Sequence, residues 1–249
     1  MLRVISFLII TAFGAVFILS LIEGVKWVHY NQSIELSKEY EIRFDQGGIQ
    51  VQESEHLMVF LFDDACSFKV LPQPPDSSLF WMNANYFDKE NQAIGLIISE
   101  GQRLSQPNRT GGCFSVRNGK VRVSSRCQTD SEFAAQSFLM GIRKGNLTSV
   151  SLRGEQTVPT YRHAIGQDDR GNVVIIASKH GAMVSAEQIL QECLDFSVRD
   201  ALLFDAGTSL IYEYQLPGFQ GKFDALSDFA TWALQKGKPK SYIVVAGCD

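Results

Sequence analysis

The feature that most constrains the fold is a long series of short strand patterns, among which there is only one strong helix pattern. From about residue 40 to the C-terminus, apolar or alternating segments recur between turn sequences rich in Gly, Pro, Asn and Asp. The clearest is a hairpin within residues 111–123, where Asn118-Gly119 separates two alternating segments and predicts a type I′ turn. Many strands with few helices predict an α+β domain built on a mixed, mostly antiparallel sheet.

The strong helix pattern begins at Ser185 and leads into a buried strand. Ser185 and Gln188 have the spacing of a capping box, and an apolar stripe follows them to about residue 196. Residues 201–204 are apolar and are predicted to form the buried strand. Weaker patterns predict two further short helices, at residues 131–140 and 226–234.

The buried strand ends at Asp205, which enters a turn of small residues before a second strand begins at Leu210. Ala206 and Gly207 leave room for a ligand to approach the backbone, and Ser209 supplies a hydroxyl beside the acid. A carboxylate held rigidly beside such space is a candidate for catalysis. The alternative, in which Asp205 caps its own backbone in the turn, stays open.

Residues 4–22 are uncharged, mostly apolar and numerous enough to cross a bilayer as a helix. No Ala-x-Ala-like cleavage site follows them, and no cysteine near their end is available for lipid attachment. We therefore predict an uncleaved, single-pass membrane anchor and stalk at residues 1–29, rather than a cleaved signal, and a folded domain at residues 30–249. The slight charge bias of Arg3 against Lys26 places this domain outside the cytoplasm, in the periplasm or at the cell surface.

The charge of the chain argues against nucleic acid as a partner. The formal net charge is -4 at pH 7, the isoelectric point is about 5.6, and lysine and arginine form no dense cluster. Because 45% of the residues are hydrophobic, the chain can bury a full core.

The five cysteines contain no Cys-x-x-Cys pair, so neither a zinc site nor a thioredoxin-like motif is predicted. Cys113 and Cys127 flank the hairpin and are the best disulfide candidates in an oxidising compartment. Their offset is imperfect, because a two-residue turn places Ser124 opposite Cys113. Cys193 lies on the apolar face of the predicted helix and is expected to be a buried free thiol.

Four more polar residues lie on or directly after predicted strands. Asn83 and Asn85 could bind a sugar hydroxyl or satisfy neighbouring backbone in an Asx turn. Arg162 either holds a carboxylate or presents its planar fork to a phosphate. His163 is either an acid-base residue or a satisfied structural histidine.

The sequence contains no cofactor motif of the common kinds: no Gly-rich phosphate loop, no Gly-x-Ser-x-Gly elbow and no His-Glu-x-x-His. Asp63, Asp64 and Asp205 are the acids that could bind a divalent cation, but acids this scattered are more often structural. We therefore predict neither a cofactor nor a metal site.

In a match that spans about residues 58–246, six blocks resemble, in the right order, the phosphodiester glycosidase family, and especially its bacterial membrane-anchored branch. The family stretches are an Asn-Gly-Gly-Phe-Phe-like block, Pro-x-Gly-Leu, a Gly-Asn-Phe stretch ending in Asn-Gly, Gln-Ser-Gly-Pro, Arg-x-x-x-Gly and Leu-Asp-Gly-x-x-Ser. The segments similar to them are, respectively, residues 82–87, 94–96, 112–119, 135–137, 162–166 and 204–209.

The resemblance implies an extracytoplasmic hydrolase that cleaves the glycosyl-phosphate bond of a glycosyl-1-phosphodiester in an envelope or exported glycan. Arg162 would neutralise the phosphodiester, and Asp205 would act as nucleophile, base or stabiliser at the anomeric carbon. His163 is the candidate proton donor. The predicted catalytic residues are Asp205, Arg162 and His163, and the predicted substrate-binding residues are Asn83, Asn85, Gly207 and Ser209.

Three positions depart from the family blocks. Ala206 replaces the glycine after the key acid, Phe138-Leu139 replace Gly-Pro, and Ala93 replaces the proline before Gly95. The first change could narrow the backbone approach that a substrate needs. A second hypothesis is therefore a catalytically inactive glycan-binding or envelope-assembly protein of the same fold.

Overall fold

The structure, a computed structural model, describes residues 34–88, 90, 92–149, 157–225, 239 and 241–248. The predicted anchor at residues 4–22 and the predicted helix at residues 226–234 lie outside the described residues. Within those ranges, no helix has the length and apolarity needed to span a bilayer.

The strand patterns of the sequence assemble into sheets whose described ladders are all antiparallel, which confirms the prediction of a mostly antiparallel fold. The largest sheet of the described chain has eight strands. Their spatial order is β1 (Glu41–Gln46), β2 (Ile49–Glu53), β3 (Leu57–Phe62), β16 (Val173–Ser178), β15 (His163–Asp168), β17 (Val198–Leu203), β13 (Leu139–Arg143) and β14 (Asn146–Leu147).

Two five-stranded sheets and one two-stranded ladder complete the described β structure. One sheet has the order β11 (Lys120–Ser124), β10 (Gly112–Arg117), β12 (Phe133–Ser137), β8 (Ile97–Ser99) and β9 (Gln102–Arg103). The other has the order β19 (Phe219–Asp224), β18 (Ile211–Leu216), β5 (Phe80–Asn83), β20 (Tyr242–Cys248) and β4 (Cys66–Leu71). The ladder pairs β6 (Tyr86–Phe87) with β7 (Ala93–Ile94).

The predicted helix is α1 (Ala186–Asp195), and its capping box is confirmed. Gln188 N–H donates to Ser185 Oγ at 3.2 Å, and Ser185 N–H donates to Gln188 Oε1 at 2.9 Å. The buried face of α1 packs on the eight-stranded sheet through Ile189, Leu190 and Cys193. This face covers the central strands, among which β16 is a nearly continuous apolar run because both of its sides are buried.

Aromatic side chains fill the space between the sheets. Phe60 of β3 packs on Phe80 of β5 with ring centroids 4.7 Å apart. Phe68 of β4 contacts both Phe62 and Phe114, at 5.6 and 5.7 Å. These contacts join the three larger sheets into one core, which fixes the strand ends that carry the polar residues discussed below.

The hairpin turn adopts the predicted form, since both Asn118 (φ 51°) and Gly119 (φ 73°) have positive φ. Cys113 lies opposite Ser124 as expected, and it nevertheless forms a disulfide with Cys127, referred to below as the hairpin disulfide. A second bond, the terminal disulfide, joins Cys66 to Cys248, and Cys193 is a buried free thiol. The terminal disulfide was missed because its partners are separated by 182 positions in the sequence.

The predicted helix at residues 131–140 is wrong, because this segment forms β12 and the start of β13. Ala134 and Ala135 favour a helix locally, but β12 is hydrogen-bonded on both sides, to β10 and to β8. Both alanines are paired with residues of β10 on one side and of β8 on the other. This tertiary pairing overrides their local preference for a helix.

Candidate functional site

A pocket of about 430 Å³ opens beside the turn that follows β17. The described residues that line it are Tyr86, Val158, Thr160, Arg162, Asp205, Ala206 and Gly207. The structure thus brings three of the predicted site residues together, namely Arg162, Asp205 and Gly207. Asn83, Asn85, His163 and Ser209 do not line this pocket.

Asp205 enters the pocket from the end of a rigid strand. Ala201 to Phe204 are at most 1% exposed, and the Asp205 N–H donates to Ala84 O at 3.1 Å. Asn83 Nδ2 donates to Asp205 O at 3.0 Å, while Asn83 Oδ1 accepts from Ile211 N–H at 3.0 Å. Asn83 therefore ties the two ends of the turn together, which makes it a support for Asp205 rather than part of the pocket wall.

The turn itself needs a glycine at only one of its two small residues. Gly207 has φ +69°, and its N–H donates to Tyr161 O at 2.7 Å. A Cβ at Gly207 would lie 3.2 Å from Thr160 Oγ1. Ala206 has φ -124° and ψ -170°, which is extended backbone that any residue adopts. The alanine at position 206 thus causes no backbone strain, and this residue forms part of the pocket wall.

Arg162 places a cation at the same pocket while being only 4% exposed. Its guanidinium donates from Nε to Val184 O at 3.1 Å and from Nη2 to Val158 O at 2.9 Å, which fixes the plane of the group. Burial lowers the pKa of Arg162, and the field of Tyr86 opposes this effect. Because an arginine side chain is not deprotonated in proteins, the group remains a fixed positive charge near Asp205.

Tyr86 is a pocket residue that the sequence reasoning did not single out. Its hydroxyl donates to Phe204 O at 2.9 Å. Burial raises the pKa of Tyr86, the Asp205 charge raises it further, and Arg162 opposes both. Tyr86 therefore interacts electrostatically with both charged groups of the pocket, Asp205 and Arg162. The only sequence signal was its position inside the family-like block at residues 82–87.

In a comparison of the sequence with known families, the phosphodiester glycosidase model matches residues 78–230, a range that contains the described pocket-lining residues. The chain belongs to the phosphodiester glycosidase family. The matched region contains Tyr86, Arg162 and Asp205 together with the supporting Asn83. No curated protein matches the sequence.

Solved structures share the fold of this phosphodiester glycosidase domain. One is the catalytic domain of zebrafish N-acetylglucosamine-1-phosphodiester alpha-N-acetylglucosaminidase, auto-inhibited by its pro-peptide, with a TM-score of 0.62 and 18% identity over 85% of this chain and 83% of that chain. Another is a hypothetical protein from Synechocystis, with a TM-score of 0.60 and 13% identity over 84% of this chain and 64% of that chain. At these identities the likeness establishes the fold.

His163, the predicted proton donor, lies behind the pocket of the phosphodiester glycosidase domain rather than in it. It is 1% exposed, and its ring stacks on Phe204 with centroids 6.4 Å apart. Neither ring nitrogen has a partner in hydrogen-bond geometry among the described residues. Burial lowers the pKa of His163 to about 3, although a backbone group of Asn83 acts in the opposite direction. The imidazole is therefore neutral at physiological pH, and it is not among the described residues that line the pocket.

Asn85 serves the fold of the domain and is not placed to bind substrate. It is completely buried, and its Nδ2 donates to Gln136 O at 2.9 Å and Leu96 O at 3.3 Å. Its Oδ1 accepts from Ser241 Oγ at 2.7 Å. These bonds connect β12 to the residues that directly precede β8 and β20. Ser209, the other predicted binding residue outside the pocket, ends a short 3₁₀ turn and is half-buried.

The three acids considered as cation ligands do not meet. Asp63 and Asp64 line a different pocket of about 190 Å³, together with Lys120 and Arg170, whereas Asp205 lines the pocket described above. Among the residues with described positions, no group of three or more His, Cys, Asp or Glu side chains could hold a metal ion.

Proposed function

We propose that this phosphodiester glycosidase-family protein is an extracytoplasmic, membrane-anchored hydrolase. Its substrate would be a glycosyl-1-phosphodiester in an envelope or exported glycan, cleaved at the bond between sugar and phosphate. The anchor would be residues 1–29 and the catalytic domain residues 30–249. The observation that carries the proposal is that the Arg162 guanidinium and the Asp205 carboxylate line one pocket.

Arg162 has the properties required to bind the phosphodiester group. Its charge is permanent, its plane is fixed by two backbone carbonyls, and it is almost completely desolvated. A charge in such a place stabilises a phosphate that gains negative charge as the glycosidic bond breaks. Arg162 would therefore both select an anionic substrate and favour departure of the phosphate.

Asp205 would act at the anomeric carbon, as nucleophile, as base for the attacking water or as a stabiliser of positive charge on the sugar. Ordinary glycosidases need a second carboxyl group as acid, because their leaving group is an alcohol. Among the described residues that line the pocket, Asp205 is the only carboxylate. A phosphate leaving group does not need an acid, because it departs as a stable anion without taking up a proton.

His163 has no part in this proposed mechanism. Its burial and low pKa remove the proton that a general acid would donate. The water that enters supplies the hydroxyl of the released sugar, and its proton is taken up by Asp205 or by solvent. The phosphate oxygen keeps the electron pair of the broken bond.

The similarity to a solved phosphodiester glycosidase supports the bond that is cleaved but not the sugar. The zebrafish protein is named for removing N-acetylglucosamine from a 1-phosphodiester. We carry over only the glycosyl-phosphodiester linkage, because it is the linkage that Arg162 and Asp205 would recognise. The sugar and the alcohol on the other side of the phosphate are left to experiment.

The test is hydrolysis of a panel of glycosyl-1-phosphodiesters by the full-length protein in detergent micelles. Asp205→Asn and Arg162→Ala are each expected to lower kcat/KM by at least about 100-fold, the usual effect of removing one electrostatic group of an active site. Asp200→Asn, on β17 before Asp205 and outside the pocket, and Arg199→Ala, in an exposed ion pair with Asp169, are the matched controls.

Turnover in the wild type and both controls, with loss in both pocket variants, would support the proposal. Full activity of Asp205→Asn would refute the assigned mechanism. A folded wild type that binds the panel but releases no product would instead favour the glycan-binding hypothesis.

A further inference from the structure

Three hydrogen bonds hold the backbone on both sides of Asp205, and all three partners come from residues 83–86. Asn83 Nδ2 donates to the Asp205 carbonyl at 3.0 Å, and Ala84 O accepts from the Asp205 N–H at 3.1 Å. Tyr86 Oη donates to the Phe204 carbonyl at 2.9 Å. Residues 83–86, at and after the end of β5, therefore hold the backbone of Asp205, the residue that enters the pocket after β17.

Tyr86 differs from the other two partners because it also lines the pocket. Asn83 and Ala84 are completely buried, whereas Tyr86 is half-buried. The ring of Phe138 packs against it with centroids 5.2 Å apart and planes inclined by 60°. Phe138 thus limits the positions that the Tyr86 ring can take.

The hydroxyl of Tyr86 remains a donor under physiological conditions. Burial is the main cause that raises its pKa, and the negative charge of Asp205 adds to it. A protonated hydroxyl can keep its bond to the Phe204 carbonyl throughout a reaction cycle. Loss of that bond would free the peptide that directly precedes Asp205.

We propose that Tyr86 is a positioning residue of this active site, which fixes the Phe204 carbonyl and thereby the direction in which the Asp205 carboxylate enters the pocket. Phe138 supports it by restricting its ring. The inference rests on the proposed function for its kinetic consequence, and on the structure alone for its effect on the backbone at Asp205.

The kinetic test compares Tyr86→Phe with wild type on the best substrate of the panel. Because misplacement of a reacting group by about 1 Å can cost 100-fold, kcat is expected to fall by about 10- to 100-fold. KM is expected to stay within about twofold, since substrate binding is not the interaction that is lost. Tyr40→Phe is the matched control, because it removes a tyrosine hydroxyl that donates to Glu192 on α1, outside the pocket.

A second substitution tests whether Phe138 acts through Tyr86. Phe138→Ala is expected to lower kcat in the wild-type background and to have little further effect in Tyr86→Phe. Independent, multiplicative effects of the two substitutions would show that Phe138 does not act through Tyr86.

Amide hydrogen exchange tests the positioning role without any turnover. The Asp205 and Gly207 amides, which donate to Ala84 O and Tyr161 O, are expected to exchange about fivefold faster in Tyr86→Phe, as for the loss of one neutral hydrogen bond. They should exchange at the wild-type rate in Tyr40→Phe. Unchanged exchange in Tyr86→Phe, or a kcat equal to wild type, would overturn the inference. An inert wild type with faster exchange in Tyr86→Phe would instead refute the proposed function and leave the positioning role intact.

Discussion

Acid is expected to destabilise this protein through His163. The imidazole is 1% exposed, and burial lowers its pKa from the ordinary value of 6.5 to about 3. Between those two pH values the unfolded chain holds a proton at this histidine and the folded protein does not. The free energy of unfolding therefore rises with pH across this interval, and the contribution is lost as the pH falls.

The size of the effect follows from the two pKa values. For each pH unit below 6.5, the free energy of unfolding falls by about 1.4 kcal/mol, until the pH reaches the pKa of His163 in the folded protein. Lowering the pH from 7 to 5.5 is therefore expected to remove about 1.3 kcal/mol, and lowering it to 4.5 about 2.5 kcal/mol. A loss of this size is a large fraction of the stability of a typical domain, which is about 5–15 kcal/mol.

Urea unfolding of wild type and His163→Leu at pH 7, 5.5 and 4.5 measures this contribution. Leucine has a similar volume and no proton to bind, so the variant should lose about 2.5 kcal/mol less than wild type between pH 7 and 4.5. Any constant effect of the substitution cancels in that difference, as do the titrations of all other groups. Equal losses in the two proteins would show that His163 is not held neutral by burial.

Three further outcomes are expected. Replacing both cysteines of the terminal disulfide by serine should lower the free energy of unfolding by about 5 kcal/mol, and the same change in the hairpin disulfide by about 3 kcal/mol, because their partners are 182 and 14 positions apart. Urea titrations compare the two, and equal losses would contradict the argument from loop length. Gly207→Ala should cost about 1–2 kcal/mol, because its φ is +69°. An unchanged melting temperature would show that alanine is not strained at position 207. Ala206→Gly should lower stability by about 0.5–1 kcal/mol. The extended backbone at this position does not require glycine, and glycine loses more conformational entropy on folding than alanine. A rise in melting temperature would show instead that alanine is strained there.

The elements that the sequence predicted correctly have local determinants. The capping box at Ser185 and the Asn118-Gly119 turn each specify their structure within a few residues. The buried strand before Asp205 was recognisable because four apolar residues stand together between polar ones. The family-like blocks then placed Arg162 and Asp205 in one hypothesis, and the structure brings both to one pocket.

The parts that the sequence did not predict depend on neighbours distant in the chain. In the sequence Asn85 resembles a ligand-binding amide, but in the structure its side chain hydrogen-bonds to Gln136 and Ser241. His163 resembles a catalytic base until its burial against Phe204 is known. Tyr86 has no local sign of importance, because its partner carbonyl lies 118 positions away. In each case the role is set by packing that local periodicity does not encode.

The terminal disulfide closes the chain into a covalent ring from Cys66 to Cys248. A single proteolytic cut anywhere between β19 and β20 would therefore leave two fragments that cannot separate. They would run as one band on a non-reducing gel and as two bands after reduction. Because β20 pairs with β5, whose last residue Asn83 supports Asp205, the nicked protein would also keep its final strand in the sheet beside the pocket.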